Sequence, residues 1–249
     1  NVPSLIQQRD HLHQYQLQHH DKCSLNYLEE VFSSGYIFWD CDSTLIENAE
    51  LHWQKHLAVT KHHGFDIKPE YRELFYHNNG EQNWRMMHDE LGFHVPMDQY
   101  LREIDTWYHA KILEIPLRPG VGKALDHFKN TGAKQCVVTN ARTASVRPML
   151  ENRGLMPYFE FILCKEDYPN RKPHPAPYAT AHARMEELES ANINKQDCIA
   201  IEDDPYGVES AMAAGIPVIH RRLKRDSPPV IGALASVYDE DEFLKVLLG

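Results

Sequence analysis

The fold of this chain is decided by the stretch Tyr36-Ile37-Phe38-Trp39-Asp40-Cys41-Asp42-Ser43-Thr44-Leu45. Its first four residues are apolar or aromatic and lack helical spacing, which predicts a buried strand of a parallel sheet. Ligands of open α/β sheets bind beyond the carboxyl ends of such strands. Because residues i and i+2 of an extended segment point the same way, we expect the carboxylates of Asp40 and Asp42 to lie side by side there. Two close carboxylates repel each other, so the pair predicts a bound cation, a shared proton, or both.

The composition limits the classes of function that the chain can have. It holds 249 residues with 36 acidic and 26 basic side chains, a formal net charge of −10. This balance argues against a nucleic-acid partner, because such binding needs a basic face. No apolar run approaches the length of a membrane span and no signal peptide is visible, so no membrane partner is predicted. The five cysteines form no C-x-x-C pair, which favours buried, reduced thiols and a cytoplasmic location. The oligomeric state is not predicted.

Hydrophobic patterning divides the chain into three predicted parts. Residues 1–35 are predicted to form an N-terminal helical extension. The apolar face of that extension would comprise Leu25, Leu28, Val31 and Phe32. Residues 46–116 show helical spacing of apolar residues and no β-branched strand run, which predicts a helical-bundle cap inserted after the first strand. Residues 36–45 and 117–249 carry alternating strand and helix patterns, which predict an α/β, Rossmann-like core built on a parallel sheet.

The core pattern also predicts the position of each element that follows the cap. Strands are predicted at 135–139, 161–164, 198–201 and 217–220. Helices are predicted at 120–130, 143–153, 176–190, 205–214 and 240–248.

Polar residues follow the later strands of the predicted sheet. They are Thr139 and Asn140 after the second strand, Glu202 and Asp203 after the fourth, and Lys172 in a loop between the two. Strand ends of a parallel sheet lie on one edge, so we expect these side chains to converge with Asp40 and Asp42. A hydroxyl, an amide and an ammonium beside four carboxylates suit a phosphate group and a hard metal ion such as Mg²⁺.

Each residue type in this group suits a step of phosphate chemistry. The Asp40 carboxylate can act as an oxygen nucleophile if the charge of the substrate is neutralised, and Lys172 can supply part of that neutralisation. Thr139 and Asn140 can donate hydrogen bonds to phosphate oxygens. Asp42 is placed to protonate a leaving oxygen and then to deprotonate a water molecule.

Four motifs in this order resemble those of the haloacid dehalogenase (HAD) superfamily, in the branch with a helical C1-type cap inserted after the first strand. The motifs D-x-D-G/S-T, a strand-end Thr-Asn, K-P-x-P and E-D-x-x-x-G-V/I match Asp40–Thr44, Thr139–Asn140, Lys172–Pro175 and Glu202–Val208. The resemblance covers about residues 36–220. Within the superfamily, the chain is similar to the phosphoglycolate phosphatase and β-phosphoglucomutase members. The resemblance implies the same fold as the hydrophobic pattern, an α/β core with an inserted helical cap.

The resemblance implies a role for each matched residue. Asp40 would form an aspartyl-phosphate, and Asp42 would act as general acid and base. The implied phosphate-binding residues are Thr139, Asn140 and Lys172. The implied Mg²⁺ ligands are Asp40, Asp42 through its carbonyl, Asp203 and Glu202, the last as a closer or an outer ligand.

Three further positions bear on the resemblance. Ser43 stands where most members carry glycine. Asp204 adds a carboxylate beside the implied metal ligands, and we interpret it as the cap of the helix that follows. His52, twelve residues beyond Asp40, resembles a histidine that faces the substrate in sugar-phosphate members. The alternative for His52 is an ordinary surface or core histidine.

The resemblance implies a Mg²⁺-dependent phosphatase that hydrolyses a small phosphorylated metabolite through an aspartyl-phosphate. The nearest alternative is a β-phosphoglucomutase-like phosphomutase, and Thr44 favours hydrolysis because such mutases usually carry a valine-like residue there. A non-catalytic regulatory or binding protein built on the same domain is an alternative of another class, against which the four intact motifs count.

Overall fold

The computed structural model of the protein describes residues 31–249. Most of the predicted N-terminal extension, including Leu25 and Leu28, therefore lies outside the described residues. The last part of the extension is helical up to residue 34, and its apolar residues Val31 and Phe32 are buried. This end of the extension contributes to the hydrophobic core.

A parallel sheet forms the centre of the larger part of the described chain. Its strands are β1 (Tyr36–Trp39), β2 (Lys134–Val138), β3 (Ile162–Leu163), β4 (Cys198–Glu202), β5 (Val218–Arg221) and β6 (Ala235–Val237). The order across the sheet is β3-β2-β1-β4-β5-β6, and every neighbouring pair is parallel. The predicted α/β, Rossmann-like fold is confirmed. Strand β6 was not predicted, because three residues at a sheet edge give too short a pattern.

Helices surround this sheet and build the segment that follows β1. Those lying wholly within the described residues are α1 (Ala49–His62), α2 (Arg72–His77), α3 (Gly80–Leu91), α4 (Met97–Lys111), α5 (Val121–Thr131), α6 (Thr143–Asn152), α7 (Ala176–Glu189), α8 (Pro205–Ala213) and α9 (Glu240–Leu248). Each bound of α5 to α9 lies within one residue of its prediction. Among the described residues, no helix is both long and apolar enough to cross a bilayer.

Strand β1 is buried on both faces, which explains its unbroken apolar sequence. The side chain of Phe38 packs into a core cluster that includes Tyr178 of α7. The ring of Trp39 lies in edge-on contact with Phe243 of α9, with 6.4 Å between the ring centroids. The indole N–H of Trp39 donates to the side-chain carbonyl of Gln135 at 2.8 Å, so its polar atom is also satisfied. A strand covered by helices on both sides has no solvent face and needs no polar alternation.

The chain divides into two compact units, each with its own core. The sheet unit comprises the chain up to Ile46 and from Leu117 onward, and the helical unit comprises Glu47–Pro116. Within the sheet unit, Ile46 and Leu117 pair in an antiparallel bridge, so the chain leaves and re-enters the unit at one place. The core of the helical unit is aromatic. Its buried members are Trp53, Val59, Ile67, Phe75, Met87, Phe93, Tyr100 and Ile104.

A histidine, His56, is buried in the helical unit. Nδ1 of His56 lies 2.5 Å from the hydroxyl of Tyr100, and the imidazole packs edge-on against Phe75. Burial lowers the pKa of His56 well below its usual value, with the Lys55 ammonium adding to the effect. The folded protein therefore holds His56 neutral, and its Nδ1 shares a hydrogen bond with the tyrosine hydroxyl.

We predict that acid destabilises the helical unit through His56. The unfolded chain binds a proton at His56 near pH 6.5 and the folded chain binds it only at lower pH, so stability falls as the pH drops through that value. Urea unfolding at pH 7.5 and pH 5.0 should show a smaller loss of unfolding free energy for His56→Leu than for the wild type. The exposed His109→Gln variant is the control and should keep the wild-type loss. Equal losses in all three proteins would contradict the prediction.

Candidate active site

The carboxyl ends of β1 and β4 bring three carboxylates together. Trp39 pairs with Ile201 in the sheet, and the backbone N–H of Asp40 donates to the Ile201 carbonyl at 3.0 Å. Asp40 therefore leaves β1 beside Glu202, which ends β4, and beside Asp203, which follows it. Carboxylate oxygens of these three acidic residues lie within 4.8 Å of one another, and all three residues are buried. Three of the acidic residues that were expected to converge at this sheet edge therefore lie together.

Lys172 places its ammonium inside this acidic group. The Nζ atom lies 2.8 Å from Oδ1 of Asp40 and 2.5 Å from Oε1 of Glu202. It also donates to the backbone carbonyl of Val138 at 2.8 Å. An ammonium carries three donors, and each has a partner here. The position of Nζ is therefore fixed from three directions.

The charged side chains of this group shift one another's pKa values. Burial lowers the pKa of Lys172, but the carboxylates of Asp40 and Glu202 act the other way and raise it above its usual range. Burial and the negative charge of Asp40 raise the pKa of Glu202 to about 8, against the opposing effects of Lys172 and Tyr178. The hydroxyl of Tyr178 donates to Oε1 of Glu202 at 2.6 Å. Lys172 is thus charged at neutral pH, while burial and Asp40 disfavour the ionised form of Glu202.

The hydroxyl of Thr44 links the carboxylates of two strands. Its Oγ1 atom lies 2.9 Å from Oδ2 of Asp40 and 3.0 Å from Oδ1 of Asp203. Thr44 belongs to the segment Asp40–Leu45, which we call the β1 loop. The backbone N–H of Leu45 closes this loop on the carbonyl of Cys41 at 2.9 Å. The loop thereby returns to Asp40 and offers it a second hydrogen-bond donor.

The β1 loop contains a backbone conformation that favours glycine. Ser43 has φ +61°, in the left-handed region. This region costs an L-residue other than glycine roughly 1–2 kcal/mol. The cost gives a physical reason for the glycine that most resembling sequences carry at this position. In this chain a serine adopts the conformation and is buried.

The donor set of the acidic group fits Mg²⁺. Three carboxylates and one ammonium leave two formal negative charges in a buried site, which a divalent cation would neutralise. All the candidate ligand atoms are oxygens, the ligands that Mg²⁺ prefers, and the group contains no imidazole or thiolate. Asp42 is half-buried and its carboxylate is not part of the three-residue group.

The two residues predicted to bind phosphate after β2 have different surroundings. The hydroxyl oxygen of Thr139 accepts from the backbone N–H of Ala141 at 3.1 Å, which leaves its own proton to donate. The amide of Asn140 instead holds the backbone of Lys172 from both sides. Its Oδ1 accepts from the Lys172 N–H at 2.9 Å, and its Nδ2 donates to the Lys172 carbonyl at 3.3 Å. Asn140 therefore positions Lys172, and its phosphate contact stays a prediction.

A family model described as haloacid dehalogenase-like hydrolase matches residues 37–220 of the chain. The chain belongs to this family. The resemblance and the enzyme class inferred from the four motifs are thereby confirmed.

Named relatives of this HAD-like hydrolase include two bacterial proteins. Protein CbbY of Rhodobacter capsulatus is 27% identical over 195 residues, which cover 74% of this chain and 83% of that protein. Phosphoglycolate phosphatase of Nitrosococcus oceani is 30% identical over 130 residues, which cover 49% of this chain and 55% of that protein. Among solved structures, CbbY from Rhodobacter sphaeroides in complex with phosphate superposes with a TM-score of 0.71 at 23% identity, over 86% of this chain and 96% of that one. This last likeness establishes the fold.

The motifs of this HAD-like hydrolase do not include all of the residues that build the site. Tyr178 binds Glu202, and no spacing in the sequence marks it as part of the group. His220, at the end of β5, lies with Nε2 3.0 Å from the backbone carbonyl of Asp203. Burial lowers the pKa of His220 to about 4, so the neutral ring donates from Nε2 and accepts from the Ser236 hydroxyl at Nδ1. Tyr178 thus contacts Glu202, and His220 contacts Asp203.

Two predicted side chains lie outside the acidic group. Oδ1 of Asp204 accepts from the backbone N–H of Tyr206 at 2.8 Å, so Asp204 is the N-terminal cap of α8, as its position in the sequence indicated. His52 lies in α1 of the helical unit, where its ring stacks on Tyr108 with 4.8 Å between centroids. Its Nδ1 lies 3.1 Å from the ammonium of Lys55. Its predicted contact with the substrate stays a prediction.

We predict that Gly207→Ala displaces Glu202. A Cβ atom at position 207 would lie 2.1 Å from Oε2 of Glu202, far inside van der Waals contact. The carboxylate would have to leave Lys172 and Tyr178, which we expect to cost about 1–3 kcal/mol of unfolding free energy. Urea unfolding measures this cost.

The matched control is Gly122→Ala in α5. A Cβ atom there would meet nothing closer than Leu117 Cδ1 at 4.0 Å. Alanine in a helix should leave the stability unchanged or raise it by about 0.5–1 kcal/mol. Equal effects at the two positions would show that the packing of Glu202 against Gly207 does not constrain the site.

Proposed function

We propose that the protein is a Mg²⁺-dependent phosphatase that hydrolyses a small phosphorylated metabolite through an aspartyl-phosphate on Asp40. One observation carries the proposal. The Asp40 carboxylate lies between the ammonium of Lys172 and the hydroxyl of Thr44, beside Asp203 and Glu202. The family and the phosphatase names of its relatives support the same class of reaction.

The surroundings of Asp40 suit a carboxylate nucleophile. Its Oδ1 accepts from Lys172, and its Oδ2 shares the single proton of the Thr44 hydroxyl with Asp203, so both oxygens are oriented before any substrate arrives. The ammonium of Lys172 also offsets the charge of an incoming phosphate, which would otherwise be repelled by three carboxylates. Pre-set donors of this kind need no rearrangement during the reaction.

Asp42 is the group we assign to proton transfer. When an oxygen of Asp40 bonds to phosphorus, the bond from phosphorus to the leaving oxygen breaks, and the proton of Asp42 goes to that oxygen. The Asp42 carboxylate then takes a proton from a water molecule, whose oxygen attacks phosphorus. The aspartyl bond breaks, and the products are inorganic phosphate and a free Asp40 carboxylate. Asp42 is half-buried, so water can reach it.

Asp40, Asp203 and Glu202 would hold the Mg²⁺, together with the Asp42 carbonyl that the resemblance implies. When bound, the metal supplies positive charge that neutralises the phosphoryl oxygens. Glu202 also contacts Lys172 through Oε1, so its carboxylate connects the ammonium to the metal ligands. We assign the hydroxyl of Thr139 to the phosphate as a hydrogen-bond donor.

We propose that the helical unit selects the organic part of the substrate, with His52 as the first candidate for contact. Its imidazole is held by stacking on Tyr108 and by the Lys55 ammonium near Nδ1. Its other nitrogen, Nε2, lies 3.3 Å from Nδ2 of Asn48, so a substrate that contacts Nε2 would have to replace this partner. Sugar phosphates and phosphoglycolate are the candidate substrates that the resemblance implies.

We predict that Asp40→Asn abolishes turnover and leaves the fold intact. The amide keeps the size of the side chain but removes the nucleophilic oxygen, which should lower kcat by about 10³-fold or more. Phosphate release from a panel of phosphorylated metabolites with excess Mg²⁺ measures the loss, and circular dichroism checks the fold. Excess chelator should abolish the activity of the wild-type enzyme. Activity of the variant within about tenfold of wild type would exclude Asp40 as nucleophile.

The second candidate function is a phosphomutase of the β-phosphoglucomutase kind. The segment around His52 also resembles the corresponding segment of such mutases, and this observation supports the alternative. Both reactions begin with attack by Asp40 and protonation by Asp42, and they differ in whether water or a sugar hydroxyl enters next. Thr44 favours water, because mutases of this kind usually carry a valine-like residue at that position.

We predict that hexose 1-phosphate, if it is turned over, yields free phosphate and hexose. The reaction should proceed with Mg²⁺ alone and gain nothing from a catalytic amount of hexose 1,6-bisphosphate, because water completes the cycle at Asp40. Chromatography of the products together with a phosphate assay distinguishes the two reactions. Accumulation of hexose 6-phosphate with little free phosphate would identify a mutase.

A further inference from the structure

A buried arginine outside the four motifs holds the β1 loop. Nη1 of Arg118 donates to the carbonyl of Ser43 at 2.9 Å and to the carbonyl of Arg221 at 3.0 Å. Nη2 donates to the carbonyl of Arg222. The backbone N–H of Arg118 donates to the carbonyl of Leu45 at 2.9 Å. A single residue thus connects the β1 loop to the end of β5 through both its backbone and its side chain.

The carbonyl that Arg118 holds belongs to the least favourable backbone position of the loop. Ser43 has φ +61°, a conformation that a serine adopts only when its surroundings enforce it. The next residue is Thr44, whose hydroxyl lies between Asp40 and Asp203. A change of conformation at Ser43 would therefore move the hydroxyl that links the nucleophile to a proposed metal ligand.

Arginine is suited to this task in a way that lysine is not. Its planar guanidinium has donors in a fixed fork, and here two nitrogens of that fork reach three carbonyls. It stays protonated at every accessible pH, so its hydrogen bonds remain charge-assisted. The side chain is 5% exposed, so water does not compete strongly for these carbonyls.

We propose that Arg118 is a positioning residue that enforces the left-handed turn at Ser43 and thereby sets the Thr44 hydroxyl between Asp40 and Asp203. The inference rests on the proposed phosphatase function for its consequence on turnover. Its structural content, the coupling between Arg118 and the turn, does not depend on which phosphate ester is the substrate.

A double-mutant cycle tests the coupling. Arg118→Met should lower kcat by about 30-fold with a smaller effect on KM, because a nucleophile misplaced by a fraction of an ångström loses mainly transition-state stabilisation. In a Ser43→Gly background the same change should lower kcat only about threefold, because glycine adopts the turn without help from the guanidinium. An equal loss in both backgrounds overturns the proposal.

Arg222→Met is the matched control. Arg222 is buried to a similar extent, and its Nη1 atom donates to the carbonyls of Arg225 and Ser227, outside the β1 loop. Its contact with Arg118 is made through its backbone carbonyl, which Arg222→Met retains. The variant should lose stability and keep kcat within about threefold of wild type, with no dependence on Ser43→Gly. If Arg118→Met fails to fold, Arg118→Lys replaces it, with an intermediate loss of kcat that Ser43→Gly again reduces. A loss in Arg222→Met that Ser43→Gly also relieves would count against a specific role of Arg118.

Calorimetric titration with Mg²⁺ alone gives a readout that needs no turnover. Arg118→Met should weaken Mg²⁺ binding by about fivefold or more, because Thr44 no longer fixes Asp203 relative to Asp40, and Arg222→Met should not. Weaker Mg²⁺ binding in Arg118→Met together with an inactive wild type would uphold the positioning role and refute the phosphatase function. An active wild type with unchanged Mg²⁺ binding and unchanged kcat in Arg118→Met would refute the positioning role alone.

Discussion

The ammonium of Lys172 lies among carboxylates where water cannot screen it, and its three hydrogen bonds reach three adjacent strands. Asp40 follows β1, Val138 ends β2 and Glu202 ends β4, and β1 is the strand between the other two. Removing one member of such a group leaves a buried charge without its partner, which costs about 3–5 kcal/mol. The lysine therefore constrains both the sheet edge and the nucleophile. Asn140 binds the backbone of Lys172 on both sides and so helps to orient its side chain.

The group is nevertheless unbalanced, and the imbalance explains its chemistry. Asp40, Glu202 and Asp203 bring three carboxylates to one ammonium. Without a metal ion, the excess negative charge acts on Glu202, because burial and the charge of Asp40 raise its pKa to about 8. A divalent cation removes the reason for that shift, because its charge favours the ionised carboxylate. Under the proposed function, this excess of acidic groups is what the metal ion, and then the phosphate, would balance.

The sequence could predict the part of this arrangement that follows from strand order and residue type. An apolar strand ending in Asp40 and Asp42, and a later one ending in Glu202 and Asp203, must meet at one edge of a parallel sheet. The supporting contacts could not be predicted, because they join positions with no fixed spacing. Tyr178 reaches Glu202 from a helix, and Arg118 reaches the β1 loop after the whole helical unit has intervened.

A local signal for one of these contacts was nevertheless present. A serine at position 43, where resembling sequences carry glycine, indicates a backbone position that prefers glycine. The φ of +61° at Ser43 gives the physical reason. Such a position has to be stabilised by a neighbour, and in the folded chain the guanidinium of Arg118 binds its carbonyl. A departure from a motif can thus indicate that a compensating contact exists, although it cannot say which residue provides it.

Under the proposed function, the division into two units separates the chemistry from the choice of substrate. Phosphoryl transfer needs a nucleophile, a proton carrier and positive charge, and the sheet unit supplies the residues for all three. None of these groups distinguishes one alcohol from another, because each acts at the phosphate. Discrimination therefore has to come from other side chains, and the helical unit holds His52 in place with its own residues Tyr108 and Lys55. Because these contacts are made within the helical unit, replacing His52 should leave the carboxylates of Asp40, Glu202 and Asp203 in place.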